Sequence, residues 1–219
     1  MVLGAAVWAS ADLDAAWREC LELAWQAYAA DTIPVGAVVV DPAGEVIARG
    51  RNRVYDRDAP PGELRYSLLA HAEVNALAQL RPDGRYEDHV LLTTLEPCLL
   101  CMGAARLATV GEVRFAGSDP YGGTGQLDVA GVNSMLARVA VRVAGPDLGR
   151  LGRLMTALHA EFFLRRAVGG HVVAAYRASE PALLAAAEAL LARDVYGAAR
   201  KGRPLAVVAA EVWDLLDGS

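Results

Sequence analysis

Two short segments limit what this chain can fold into: Leu69-Ala70-His71-Ala72-Glu73-Val74-Asn75-Ala76-Leu77 and Thr94-Leu95-Glu96-Pro97-Cys98-Leu99-Leu100-Cys101-Met102-Gly103-Ala104. Between them they carry one imidazole, two thiols and a carboxylate that need not be a ligand. Cys98 and Cys101 stand three apart, so on a helix both sulfurs share a face. Pro97 suits the first helical position, and a helix dipole favours thiolates in the first turn. His71 is expected to open a second helix with Val74, Leu77, Ala78 and Leu80 as its apolar stripe. A fold that serves both segments brings two helix starts together. His71, Cys98 and Cys101 are then expected to be three ligands of Zn²⁺, with water in the fourth position, as in catalytic zinc sites. Glu73 is left beside the metal, free to take and return protons.

Two blander readings compete. A Cys-x-x-Cys pair serves redox chemistry, or half of a closed structural zinc site with Glu73 or His89 as fourth ligand. The chain has no second such pair, and its only other cysteine is Cys20, so the open zinc site is the better reading. Cys20 itself falls on the apolar face of a helix read at Asp12–Ala30 and is expected to be core.

With 219 residues, 54% of them hydrophobic, the chain can bury a substantial core. A net charge of −5 gives no global attraction for nucleic acid. Two of three cysteines on a metal leave no disulfide framework, which fits a reducing cytoplasm. Met1–Ala11 reads as a loose tail without a basic start, since the first arginine is Arg18. No apolar run is long enough for a membrane span.

Strands are expected at Ile33–Val40, Glu45–Gly50, Asp88–Thr94, Glu112–Ala116 and Val139–Val143. Helices are expected from His71 to about Leu80, from Pro97 to about Ala108, and over Leu148–Ala167. This alternation predicts an α/β fold: a three-layer α/β/α domain over residues 12–167 with a mixed five-stranded sheet. Asn52, just after a strand, is a candidate substrate contact. The polar loop from Arg53 to Tyr66 is a candidate wall or lid. Asp119 either faces the pocket or caps its turn. Beyond Gly169-Gly170, a small strand at Val172–Tyr176 and helices at Pro181–Arg193 and Pro204–Leu216 form a helical extension, residues 168–219. His159 and His171 are read as surface residues. Arg165, Arg166, Arg200, Lys201 and Arg203 read as a solvated face, with a basic strip as the alternative.

His-x-Glu followed by Pro-Cys-x-x-Cys is a known signature of zinc deaminases. On it, and on Ile33-Pro34-Val35-Gly36-Ala37-Val38, Asn52-Arg53, Asp119 and Phe162-Phe163-Leu164-Arg165-Arg166, the chain resembles the cytidine deaminase-like superfamily. Within it, the resemblance points to tRNA-specific adenosine deaminases and related nucleoside and nucleobase deaminases. It implies that His71, Cys98 and Cys101 hold zinc and that Glu73 shuttles protons. It also implies that Asn52 and the backbone near Ala72 contact the base, and that the protein is a homodimer.

The chain departs from the tRNA enzymes at Tyr66-Ser67-Leu68-Leu69-Ala70, in its extension and in its acidic balance. A tRNA binder needs positive surface near its pocket. The expected function is therefore hydrolytic deamination of a free nucleobase or nucleoside, with release of ammonia. The alternative is adenosine-to-inosine conversion in tRNA, and the non-enzyme alternative is a zinc-stabilised scaffold.

Overall fold

The computed structural model describes residues 13–129, 131–166 and 170–217; the tail read at Met1–Ala11 lies outside them. Helix α1 spans Ala15–Ala29 and starts at Asp14, whose carboxylate accepts from the Trp17 amide at 2.8 Å. Its buried Trp17, Cys20, Leu21, Ala24 and Tyr28 recur at helical spacing. There follow β1 (Gly36–Val40), β2 (Val46–Arg51), α2 (Ala72–Leu77), β3 (Val90–Leu95), α3 (Leu99–Leu107) and β4 (Glu112–Gly117). Then come α4 (Ser134–Arg138), β5 (Arg142–Ala144) and α5 (Arg150–Arg166). The strands form one sheet in the order β2-β1-β3-β4-β5. β1 runs antiparallel to both β2 and β3, while β3, β4 and β5 are parallel, so the sheet is mixed as expected.

β1 is buried throughout, and its alternation divides the layers. Val38 and Val40, with Leu92 of β3, pack among α1 and α5. Ala37 and Val39, with Leu91, pack among α2 and α3. Glycine sets the spacing on each face. A Cβ on Gly36 would sit 2.2 Å from the Cys20 carbonyl oxygen of α1. One on Gly50 would sit 2.3 Å from the Ala72 carbonyl oxygen of α2. Gly50 therefore governs how closely the helix that follows His71 approaches the sheet.

The C-terminal part is helical: α6 (Gly170–Ser179), α7 (Pro181–Ala192), α8 (Val195–Arg200), α9 (Leu205–Glu211) and a 3₁₀ turn (Trp213–Leu216). The strand expected at Val172–Tyr176 is part of α6. Val172 and Tyr176 are both buried, and a spacing of four puts them on one helical face. The β-branched pair Val172-Val173 was a misleading strand signal. Helix α8 was unforeseen; Asp194 Oδ1 caps it by accepting from the Gly197 amide. Leu190, Val195, Leu205, Val208 and Leu216 share one apolar cluster with Trp17, Leu21, Leu154 and Leu158. The last helices thus pack on the α1–α5 layer.

Smaller differences follow from local hydrogen bonding. α2 ends at Leu77, short of Leu80, because the amides of Gln79 and Leu80 bond three residues back and tighten the chain into a turn. β5 pairs with β4 only over Arg142–Ala144; α4, capped by Asn133, precedes it. Among the described residues no helix is long and apolar enough to cross a membrane.

Candidate metal centre and its cavity

His71 is the N-cap residue of α2 and Cys98 the N-cap residue of α3; neither side chain caps its own helix. Pro97 therefore precedes the cap and does not occupy the first helical position. Both side chains are free to face each other, and Cys101 joins them from within α3. Cys98 Sγ lies 3.6 Å from His71 Nδ1 and 3.6 Å from Cys101 Sγ, and Cys101 Sγ lies 3.4 Å from His71 Nδ1. A tetrahedral zinc with ordinary Zn–S and Zn–N bonds spaces its donors by about 3.6–3.8 Å. The triangle has the dimensions of one face of that tetrahedron, so the residues fit the metal.

Glu73, in the first turn of α2, does not join the three atoms that lie within 4.8 Å of one another. It sits at their edge. Glu73 Oε1 accepts from the Thr93 hydroxyl at 3.1 Å, and Oε2 accepts from the Cys101 thiol at 3.3 Å. Burial raises its pKa.

Within the triangle, Cys98 is pulled down to about 4, chiefly by its hydrogen bond with Cys101, with His71 adding to it. Cys101 is pushed well up by that same bond and by burial. His71 is raised by its hydrogen bond to Cys98. A divalent cation among these donors would compensate the thiolates and displace their protons.

The triangle opens on a cavity of about 70 Å³ lined by Ile33, Val35, Asn52, His71, Glu73, Leu95, Glu96, Cys98, Asp119 and His159. Asn52 is there as expected. Its Oδ1 accepts from the Thr32 hydroxyl and the Val54 amide, which leaves its NH₂ for the cavity. Asp119 is also there, and it caps its own turn as well, accepting from the Tyr121 amide. Ala72 is buried and is not among the lining residues. None of residues 53–66 lines the cavity, so the expected wall is elsewhere. That loop is pinned instead: Arg53 pairs with Asp56 and Glu63, and Asn75 of α2 exchanges hydrogen bonds with the Leu64 backbone.

Two lining residues were missed. Glu96 accepts from the Asp119 and Gly125 amides and so holds the loop that carries Asp119. His159 was read as a surface residue, yet it is 5% exposed and hydrogen-bonded to Tyr176 of α6. Arg165 and Arg166 also depart from a solvated face. Both pair with Asp31; Arg165 lies 3.5 Å over the Tyr196 ring and Arg166 4.3 Å over the Tyr55 ring.

Residues 10–116 match the family described as the cytidine and deoxycytidylate deaminase zinc-binding region. This part of the chain, just under half of it, belongs to the cytidine deaminase-like superfamily. With the His-Cys-Cys triangle, this membership assigns Zn²⁺ as the metal.

Among curated relatives, the chain is 35% identical over 128 residues to the tRNA(Ile)-lysidine synthase of Deinococcus radiodurans, covering 57% of this chain and 20% of that protein. It is 38% identical over 105 residues to the tRNA-specific adenosine deaminase of Haemophilus influenzae, covering 47% of this chain and 56% of that one. The chain thus spans between a fifth and somewhat over half of these relatives' lengths. Among solved structures, a tRNA:A34 deaminase superposes with a TM-score of 0.51 at 27% identity, covering 67% of this chain and 97% of that one. The protein NE0047, in complex with 2,6-diaminopurine, superposes at 0.50 and 26% identity, covering 70% and 82%. The mixed sheet and its flanking helices are the superfamily's fold.

Proposed function

We propose that this protein is a zinc-dependent hydrolytic deaminase of a free nucleobase or nucleoside. The observation that carries this reading is the three-donor triangle with one buried carboxylate at its edge, beside one small cavity that His71, Cys98 and Glu73 line. His71, Cys98 and Cys101 would hold the metal. Zn²⁺ in such a site lowers the pKa of water to about 7 and makes a nucleophile available at neutral pH. The substrate gains a C–O bond and loses its C–N bond, so a carbonyl replaces the amine and ammonia leaves. Glu73 Oε2 accepts one water proton and returns it to the departing nitrogen, and the second water proton ends on the ring nitrogen beside the new carbonyl. A raised pKa suits a group that must both bind and release that proton. Thr93 holds the other carboxylate oxygen in place. Asn52 and Asp119 offer a donor and an acceptor to the ring, and the apolar Ile33, Val35 and Leu95 flank it. We assign this chemistry to residues 12–167 and a packing role to residues 168–219.

A free base is favoured over a polynucleotide by where the cations are. Arg165 and Arg166 are occupied by Asp31 and aromatic rings, Arg193 by Asp214 and Arg203 by Glu211. Phosphate contacts dominate nucleic-acid affinity, and these side chains are already paired. The second reading, adenosine-to-inosine conversion in tRNA, is favoured by the similarity to tRNA-specific adenosine deaminases. Ammonia release from free bases, nucleosides and an anticodon stem-loop separates the two. Turnover of a base or nucleoside is expected; turnover of the stem-loop alone would reverse the order.

We read the protein as a cytoplasmic homodimer. Free Cys20, Cys98 and Cys101 fit a reducing compartment. Leu68, Leu69, Leu99 and Leu107, all exposed and near the metal-site helices, give a partner copy an apolar surface. Light scattering on the zinc-loaded protein checks the mass.

A further inference from the structure

One buried ionisable pair has no part in the chemistry above: His159 of α5 and Tyr176 of α6. Tyr176 is fully buried. Its hydroxyl lies 2.8 Å from His159 Nδ1, and no other hydrogen-bond partner for it is found among the described residues. Phe163 closes the imidazole edge-on, with ring centroids 5.1 Å apart. The same imidazole lines the cavity beside His71, Glu73 and Cys98. With Nδ1 engaged, Nε2 is the ring's one remaining polar atom, and among the described residues it has no partner.

Burial favours the neutral ring, and a neutral imidazole offers one donor and one acceptor. A phenol is the better donor of the two groups, so Tyr176 O–H donates to Nδ1. That puts the ring proton on Nε2 of a ring that lines the cavity.

We propose that His159 sets substrate specificity, donating Nε2–H to an acceptor on the heterocycle, a ring nitrogen or an oxo group, and that Tyr176 is the positioning residue that fixes its tautomer. The proposal rests on the free-base reading. It gives the C-terminal helices a part in substrate choice, because the group that orients His159 comes from α6. Asp119 lines the same cavity and lies close enough to influence both rings electrostatically. The preferred base then carries an acceptor for His159 close to a ring N–H for Asp119.

The test uses the zinc-loaded full chain and its best free-base substrate. His159→Ala is expected to raise KM about tenfold, as loss of one hydrogen bond does, while kcat changes less than about threefold. His159→Gln, which keeps a donor near the Nε2 position, recovers part of that loss. Tyr176→Phe raises KM by about threefold, a smaller loss because the ring stays and only its tautomer is freed. A set of substrate analogues with each ring nitrogen replaced in turn by C–H, or each oxo group removed, gives the decisive reading. One member should be poorer for the native protein and no poorer for His159→Ala.

Zinc content and melting temperature, matched to the native protein in His159→Gln, exclude a folding defect. Native KM in folded, zinc-loaded variants would overturn this proposal and leave the free-base reading standing. Absence of turnover on every free base and nucleoside would overturn both.

Discussion

The metal corner and the opposite wall of the same cavity are built in different ways. At the corner, four functional side chains come from two local segments, with spacings of two and three residues, each at the start of a short helix. On the opposite wall the side chains come singly: Asn52 after β2, Asp119 after β4, His159 within α5. Each is held by a residue distant in sequence, namely Thr32, Glu96 and Tyr176. Metal chemistry demands a fixed donor set at fixed distances, so it is written locally. Recognition demands only that some polar atom reach a given point, and any element that packs there can supply it. On the proposed function, reaction type is set at the corner and substrate choice at the wall.

The comparison breaks most sharply at the corner. Cys101→Ala removes one apex of the triangle and is expected to abolish both zinc content and activity, read by metal analysis and ammonia release. Glu73→Gln is expected to keep zinc and lose about 10²–10⁴-fold in kcat, the usual size of a general acid–base contribution. If Glu73→Gln also lost its zinc, the carboxylate would be a ligand and the division between binding and proton transfer would fail. Full turnover in that variant would remove Glu73 from the chemistry altogether.

The next effect concerns what brings the corner together. Gly50→Ala places a methyl group against the backbone of α2. Overpacking of this kind costs about 1–3 kcal/mol, read as a lower melting temperature of the metal-free protein, with weaker zinc retention. An unchanged melting temperature would show that α2 can move away from the hairpin at little cost. Smaller still is Thr93→Val. It removes the hydroxyl that orients Glu73 and is expected to lower kcat by about three- to tenfold, with zinc content intact. A change in KM alone would place Thr93 on the recognition side.

What could be read beforehand follows the same division. The grouping of His71, Cys98 and Cys101 with Glu73 beside them was legible because two segments carry the whole pattern, and the sheet because β1 is a continuous apolar run and β3 opens on one. His159 was illegible. A lone histidine in an alanine- and leucine-rich helix looks alike on either face, and its partner Tyr176 lay in a segment whose Val172-Val173 pair suggested a strand. Glu96 stood in plain view within a motif. Nothing local shows that its carboxylate would bind amides 23 and 29 residues later. Arg165 and Arg166 looked solvated because Asp31, their partner, is more than 130 residues away.

The smallest expected effect tests the wall through stability alone. Burial holds the His159 proton affinity below that of a free imidazole, while nearby Asp119 pulls it partly back. The unfolded chain titrates near pH 6.5. Just below that pH it binds more protons than the folded protein, so folding stability falls as pH falls. The slope from one such group is at most about 1.4 kcal/mol per pH unit. His159→Gln should flatten the melting-temperature profile below pH 6.5 relative to the native protein, each protein being compared in its zinc-loaded form. Asp119→Asn should carry the native slope to lower pH, because it removes the charge that eases protonation. Parallel profiles for the native and His159→Gln proteins would mean that the imidazole is solvated, and the wall would then lose one of its buried, fixed donors.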